Sequence, residues 1–182
     1  MTSRIEIDQR AGDLTLHTGR AGVGSRVGHD LTLRVGRWSA QADLDDAGDL
    51  SALRLVAALD SLEVLRGDGG LKPLSEKDKK TILANAMDTM KARAHPELSL
   101  DAPDLRVAAG QSRITGQVSV AGATRPQIVD LTVTHAGGQV QVQGRCDLVQ
   151  SDFGIKPYSG MLGALKVRDA VEVRAELSVS LP

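Results

Sequence analysis

Residues 151–167 read S-D-F-G-I-K-P-Y-S-G-M-L-G-A-L-K-V, and this stretch decides the fold. It holds two of the chain's three aromatic residues, Phe153 and Tyr158. Gly154, Pro157, Gly160 and Gly163 punctuate it closely enough to interrupt both a helix and a long strand. What remains is an apolar loop, and such a loop needs a dry place for Phe153, Ile155, Met161 and Leu162. The mouth of a β-barrel is one.

The segment that follows has strict period two. Val171, Val173, Ala175, Leu177, Val179 and Leu181 alternate with Glu172, Arg174, Glu176, Ser178 and Ser180, the pattern of a strand buried on one face and wet on the other. Upstream the alternation recurs at Leu14–Leu16, at Leu31, Leu33 and Val35, at Trp38, Ala40, Ala42 and Leu44, and at Leu53, Leu55, Ala57 and Leu59. Ile114, Gly116, Val118 and Val120 continue it, then Val129, Leu131 and Val133, then Val140, Val142, Gly144, Cys146 and Leu148. That makes eight strands. The links Asp45–Asp49, Ala121–Ala123 and Gly137–Gly138 are short and rich in turn residues, so neighbours pair antiparallel.

One helix interrupts them, between the fourth and fifth strands. Ser75 opens S-E-K-D as an N-cap, with Asp78 closing a variant of the capping box. Ile82, Leu83, Ala86, Met87 and Met90 then share a face opposite Lys79, Lys80, Asp88 and Lys91. Pro96 sets an end near Ala94. Eight half-apolar strands close into a barrel or stack as a sandwich. A single amphipathic helix cannot cover an open sheet but can close one end of a barrel, so the chain is read as an all-β, antiparallel, eight-stranded barrel with one inserted amphipathic α-helix, a single domain over residues 1–182. Ala40, Ala42, Ala57, Gly116, Gly144 and Ala175 are small for an inner face, which favours a lumen able to hold one ligand. The alternative is a lumen filled by Trp38, Met87 and the apolar loop.

The formal net charge of −1 and the 2% aromatic content exclude a nucleic-acid surface, having neither a cationic stripe nor stacking platforms. The single cysteine, Cys146, cannot close an internal disulfide. No signal h-region and no run of about 20 apolar residues is present, so a cytoplasmic location without a transmembrane segment is expected.

Three features in order make the chain resemble the YceI-like family, lipocalin-like barrels associated with polyisoprenoid binding. They are Gly28-His29-Asp30 before L-T-L-R-V, His95-Pro96 after the inserted helix, and V-S-V-A-G-A-T-R-P-Q-I-V-D-L-T-V leading to the loop quoted above. The resemblance implies that an isoprenoid or other long-chain lipid is sequestered or carried in the lumen, with no cofactor. Candidate lining residues are the inward positions Leu14, Leu16, Leu31, Leu33, Leu55, Leu59, Val118, Val133, Val142 and Val173. Met87, Met90, Phe153 and Met161 would cap or gate the opening, methionine being adaptable to irregular shapes.

Catalytic and metal chemistry find little support. His29 and Asp30 are neighbours on a strand, so their side chains point to opposite faces and a structural role at the strand's start is the better reading. His17, His95 and His135 lack ligand spacing. The glycines at 19, 22, 24 and 28 fail the phosphate-loop pattern, with Val27 where glycine is needed. The acidic run Asp43–Asp49 fails the calcium-loop pattern, with Arg54 at its twelfth position. Cys146 faces inward as a small hydrophobe. Arg20, Arg26, Arg125 and Lys156 are loop cations that could meet an anionic head group. Three functions remain: a lipid carrier, a filled barrel whose loops or edge strands bind a partner (a second copy of the chain included), and an enzyme using His29 on a lipophilic substrate.

Overall fold

The period-two segments become one long, strongly curled antiparallel sheet. The computed structural model describes residues 3–180; Leu181, the last member of the alternating series, lies outside the described residues. The chain begins with β1 (Ser3–Asp8) and β2 (Gly12–Thr18), divided only by the 3-10 turn Gln9–Ala11. After a two-residue β3 (Arg20–Ala21), β4 (His29–Val35) and β5 (Trp38–Leu44) are divided by Gly36 and Arg37. β6 (Leu50–Ala58) and β7 (Leu62–Gly69) flank the 3-10 turn Leu59–Ser61. The helix α1 (Glu76–Thr89) precedes β8 (Glu97–Ala102), β9 (Gly110–Val120), β10 (Ala123–Ala136) and β11 (Gln139–Val149). Two short strands, β12 (Ser159–Gly160) and β13 (Leu165–Val167), lead into β14 (Ala170–Ser180).

Eleven strands form the main sheet in the order β1-β5-β6-β8-β9-β10-β11-β14-β2-β4-β7, and β12-β13-β3 form a small second sheet. The hairpin turns follow from local chemistry. Gly137 and Gly138 both have positive φ, 58° and 81°, as a turn whose twist matches its flanking strands requires. Ala121, at φ 53°, adopts the same left-handed conformation without glycine's freedom.

The strand count differs from the eight read off the sequence. β1, β7 and β8 are absent from that reading, although Ile5 and Ile7, Leu62 and Val64, and Leu98, Leu100 and Ala102 alternate in them. Register against neighbouring strands holds β1 and β8: Ile5 and Ile7 pair Ala42 and Ala40, and Leu100 pairs both Leu55 and Val118. Leu59, read as the end of a strand, instead starts the turn after β6.

The helix starts where expected. Ser75 accepts from the Asp78 backbone N–H at 3.1 Å, and Asp78 in turn accepts from the Ser75 N–H at 2.8 Å, a complete capping box. It stops before Ala94, because Lys91 turns left-handed (φ 54°) directly after the C-cap residue Met90. Ile82, Leu83 and Met90 pack against the inward side chains of β2, β4, β5 and β7, among them Leu16, Leu33, Trp38 and Val64. A second cluster gathers Ile114, Val118, Leu131, Cys146 and Leu148 from β9–β11 with Phe153 and Ile155 from the loop.

Candidate functional site

Between the two clusters the curled sheet keeps a gap, and its origin is visible in one row of paired residues. Leu131 faces Gly144 across β10 and β11, Gly144 faces Ala175, and Ala175 faces Leu14. Two adjacent small residues leave the row open. Ala40, Ala42 and Ala57 do the same on β5 and β6. The result is a cavity of about 200 Å³, which we call the lumen. Of the predicted lining residues, Leu14, Leu16, Leu55, Leu59, Val118, Val133, Val142 and Val173 line it. Its few polar neighbours, Asp49, His135 and Arg145, contrast with an otherwise aliphatic wall. No polar or charged residue among those described is fully buried.

A second cavity of about 610 Å³ lies between α1, the start of β4 and the small sheet. Leu16 lines both cavities, so this vestibule adjoins the lumen. The predicted residues Leu31, Leu33 and Met90 line the vestibule rather than the lumen. The three remaining capping candidates lie elsewhere. Met87 is half-buried on α1 outside both cavities. Phe153 closes the 3-10 turn Gln150–Phe153 and is buried in the β9–β11 core with Ile155. Met161 is 59% exposed in a turn between β12 and β13. The apolar loop thus fills part of the core with Phe153 and Ile155, while Tyr158, Leu165 and Val167 line the vestibule.

The vestibule is amphipathic. Thr18, Arg20, His29, Lys72, Asp78, Asn85 and Lys166 join its apolar wall. The Thr18 hydroxyl oxygen is buried and has no hydrogen-bond partner among the described residues. Buried polar atoms are almost always satisfied, so an orphaned hydroxyl in a cavity wall suits a polar ligand atom. Trp38 Nε1 on β5 is the other such atom.

His29 and Asp30 separate as the strand geometry requires. His29 Nε2 donates to the Lys72 carbonyl at 2.8 Å, tying the segment after β7 to the start of β4. Asp30 Oδ1 accepts from the Arg20 backbone N–H at 2.8 Å and pairs with the Arg20 side chain at 3.7 Å. Arg20 also donates to the Gly28 carbonyl at 2.8 Å. Of the four loop cations singled out from the sequence, Arg20 lines the vestibule, while Arg26, Arg125 and Lys156 line neither of these two cavities.

Cys146 lines the lumen, and burial, then the nearby Asp147 and Asp130, pushes its thiol up to about 11. It is a neutral hydrophobe at physiological pH. His17 sits on the outer face of β2, its Nε2 2.9 Å from the Thr15 hydroxyl. Burial and the Arg174 charge lower its pKa. Among the described residues no three His, Cys, Asp or Glu side chains come together as a metal site, and no helix is long and apolar enough to cross a membrane.

The sequence reading missed the lumen residues of the short strands, Ile5, Ile7, Leu98 and Leu100, and the vestibule residues Thr18, Tyr158, Leu165 and Lys166. The triplets Ile5-Glu6-Ile7 and Leu98-Ser99-Leu100 carried the available signal, one period each.

A curled antiparallel sheet around an aliphatic cavity, with a polar-edged vestibule beside a lone helix, defines a class of small all-β proteins with an enclosed apolar interior. Within that class the chain belongs to the YceI-like domain family, whose sequence profile matches residues 6–179. Solved structures share the fold at low identity. BcnA from Burkholderia cenocepacia is 15% identical with a TM-score of 0.67, over 92% of this chain and 96% of its own. The YCEI protein of Campylobacter jejuni is 14% identical with a TM-score of 0.62, over 82% and 84%. A domain from Saccharophagus degradans, described as polyisoprenoid binding and implicated in plant cell wall breakdown, is 12% identical with a TM-score of 0.62, over 100% of both chains. No curated protein matches the sequence.

Proposed function

We propose that the protein is a non-catalytic carrier that holds an isoprenoid or similar long-chain amphiphile, tail in the lumen and head in the vestibule. The aliphatic lumen, with its small residues Gly144 and Ala175 side by side, is the observation that carries this reading. Each five-carbon isoprene unit buried there contributes about 4 kcal/mol of gross transfer free energy, at about 0.8 kcal/mol per carbon. Ordering and association costs reduce the net value. The polyisoprenoid-binding description of the S. degradans domain supports the same ligand class at the level of the family.

The carrier reading includes a closed barrel. β1 with β2, β4 with β5, and β6 with β7 are each interrupted by no more than a three-residue kink, so each pair counts as one bent strand. The ladders then pass through eight strands and return to the first, because β1 pairs β5 while β2 pairs both β4 and β14. The outer sides of β1 and β7, each of which pairs a single neighbour, are the edges left outside this ring. The absence of a catalytic role is supported by His29 and Asp30, whose polar atoms are used in holding loops together.

Mass spectrometry of the purified protein, native and then after organic extraction, tests the proposal. A stoichiometric prenyl or other long-chain lipid is expected. Bare protein that also takes up no added long-chain amphiphile would replace the carrier with a filled barrel acting through a partner.

A further inference from the structure

The vestibule opens through three loops that differ from the rest of the surface. Segments 19–28, 69–73 and 154–168 carry Arg20, Arg26, Lys72, Lys156, Lys166 and Arg168 and no Asp or Glu, while Asp30, Asp68, Asp152 and Asp169 flank them and Asp78 lines the vestibule. Six cations against these five carboxylates leave the region slightly positive in a chain of net charge −1. The only ion pair these six make among the described residues is that of Arg20 with Asp30. The same segments hold Val23, Val27, Leu71, Tyr158, Met161 and Leu162, six of the eight exposed large hydrophobic residues among those described.

Backbone contacts hold these loops together. The Gly24 N–H donates to the Ala164 carbonyl at 2.8 Å. Gly22 lies so close to the same carbonyl that a Cβ there would come within 2.4 Å of it. Val23, between them, is therefore fixed beside the turn that carries Met161 and Leu162. On the other side, Gly69 and Gly70 pack against the Arg20 guanidinium and the His29 ring. This fixes Leu71 to the same rim. Met161 and Leu162 both hold left-handed backbone, φ 50° and 55°, and Leu162 is fully exposed. Left-handed leucine and methionine side chains presented to water lower stability, a cost that a folded-state contact does not explain.

We propose that this face docks on an anionic lipid bilayer, with Leu162, Met161, Val23 and Leu71 entering the interface and the surrounding cations meeting acidic head groups. Exposed apolar side chains ringed by Lys and Arg are the elements of interfacial membrane binding. The face surrounds the vestibule, so docking places that opening against the layer from which a lipid would be withdrawn. In that last respect the proposal rests on the carrier reading.

Vesicle flotation with pure phosphatidylcholine and with phosphatidylcholine mixed with phosphatidylglycerol tests it, beside lumen loading by a detergent-soluble fluorescent long-chain amphiphile. Wild type floats with the anionic vesicles only, and binding falls as salt is raised. Arg26→Gln with Lys156→Gln weakens binding about fivefold per charge removed. Met161→Ser with Leu162→Ser weakens it about tenfold or more. Leu162→Gly relieves the left-handed leucine, so it raises the melting temperature while still weakening flotation, which separates docking from folding. Loading of the lumen stays unchanged in all of them. Wild type that loads its lumen but floats with neither vesicle, or a Met161→Ser/Leu162→Ser variant that floats like wild type, overturns docking and leaves the carrier intact. The face would then fit an acidic protein. Flotation without loading overturns the carrier and supports docking.

Discussion

Filling the open row of the lumen tests its purpose most directly. Gly144 accepts a side chain: a Cβ there would lie 3.4 Å from Leu131 Cδ2 and 3.6 Å from the Ala175 Cβ, ordinary contacts. Gly144→Val with Ala175→Leu adds six carbons where Gly144 and Ala175 face each other across β11 and β14. That displaces slightly more than one isoprene unit and so removes about 4 kcal/mol of tail burial, close to a thousandfold in affinity. The empty protein moves the other way. A cavity of about 200 Å³ corresponds to as much as 5 kcal/mol at about 24 cal/mol per Å³, part of which the new carbons recover, and replacing glycine in a strand adds about 0.5–1 kcal/mol. The ligand-free double variant therefore melts several degrees higher while losing its ligand. Trp38, the sole tryptophan and 4% exposed within the core beside the lumen, reports binding by its fluorescence in a lipid titration. Unchanged affinity together with lowered stability would refute the reasoning, since it would mean that the row is already packed and the ligand lies elsewhere.

Three further outcomes follow from individual side chains. Thr18→Val removes the orphaned vestibule hydroxyl; we expect affinity for an oxygen-bearing amphiphile to fall about tenfold, while the empty protein gains stability by up to about 1 kcal/mol. Equal loss for a pure hydrocarbon would count against a head-group contact. The lowered pKa of His17 means that the unfolded chain takes up its proton first, so this residue's contribution declines as pH falls through about 6.5 and levels off below the folded pKa. Denaturant unfolding of His17→Gln across that range should show a smaller acid-side loss than wild type. Cys146, with its thiol near 11 and its side chain in the lumen, should react with a water-soluble disulfide reagent at neutral pH only after unfolding. Rapid reaction of the native protein would place it outside.

What could be read from the chain alone was whatever repeats over a short distance. The long strands β9, β10, β11 and β14 show enough alternations to declare themselves, and Ser75 with Asp78 declares the helix start through a contact three residues long. Inward positions such as Leu14, Val118 and Val173 follow from the same period, because a strand's side chains alternate between faces whatever their surroundings. Tertiary structure decided what period cannot express. β1 and β8 exist because neighbouring strands, β5 for the one and β6 and β9 for the other, supply their hydrogen-bond partners. Gly144 meets Ala175 only because two strands align in one register. Phe153 and Met161 share a loop and an apolar character, yet one is buried in the core and the other exposed, since the turns between them send their side chains in different directions. Local alternation fixes which face of a strand is apolar; whether that face is packed solid, kept hollow or left to the solvent depends on contacts between residues far apart in sequence.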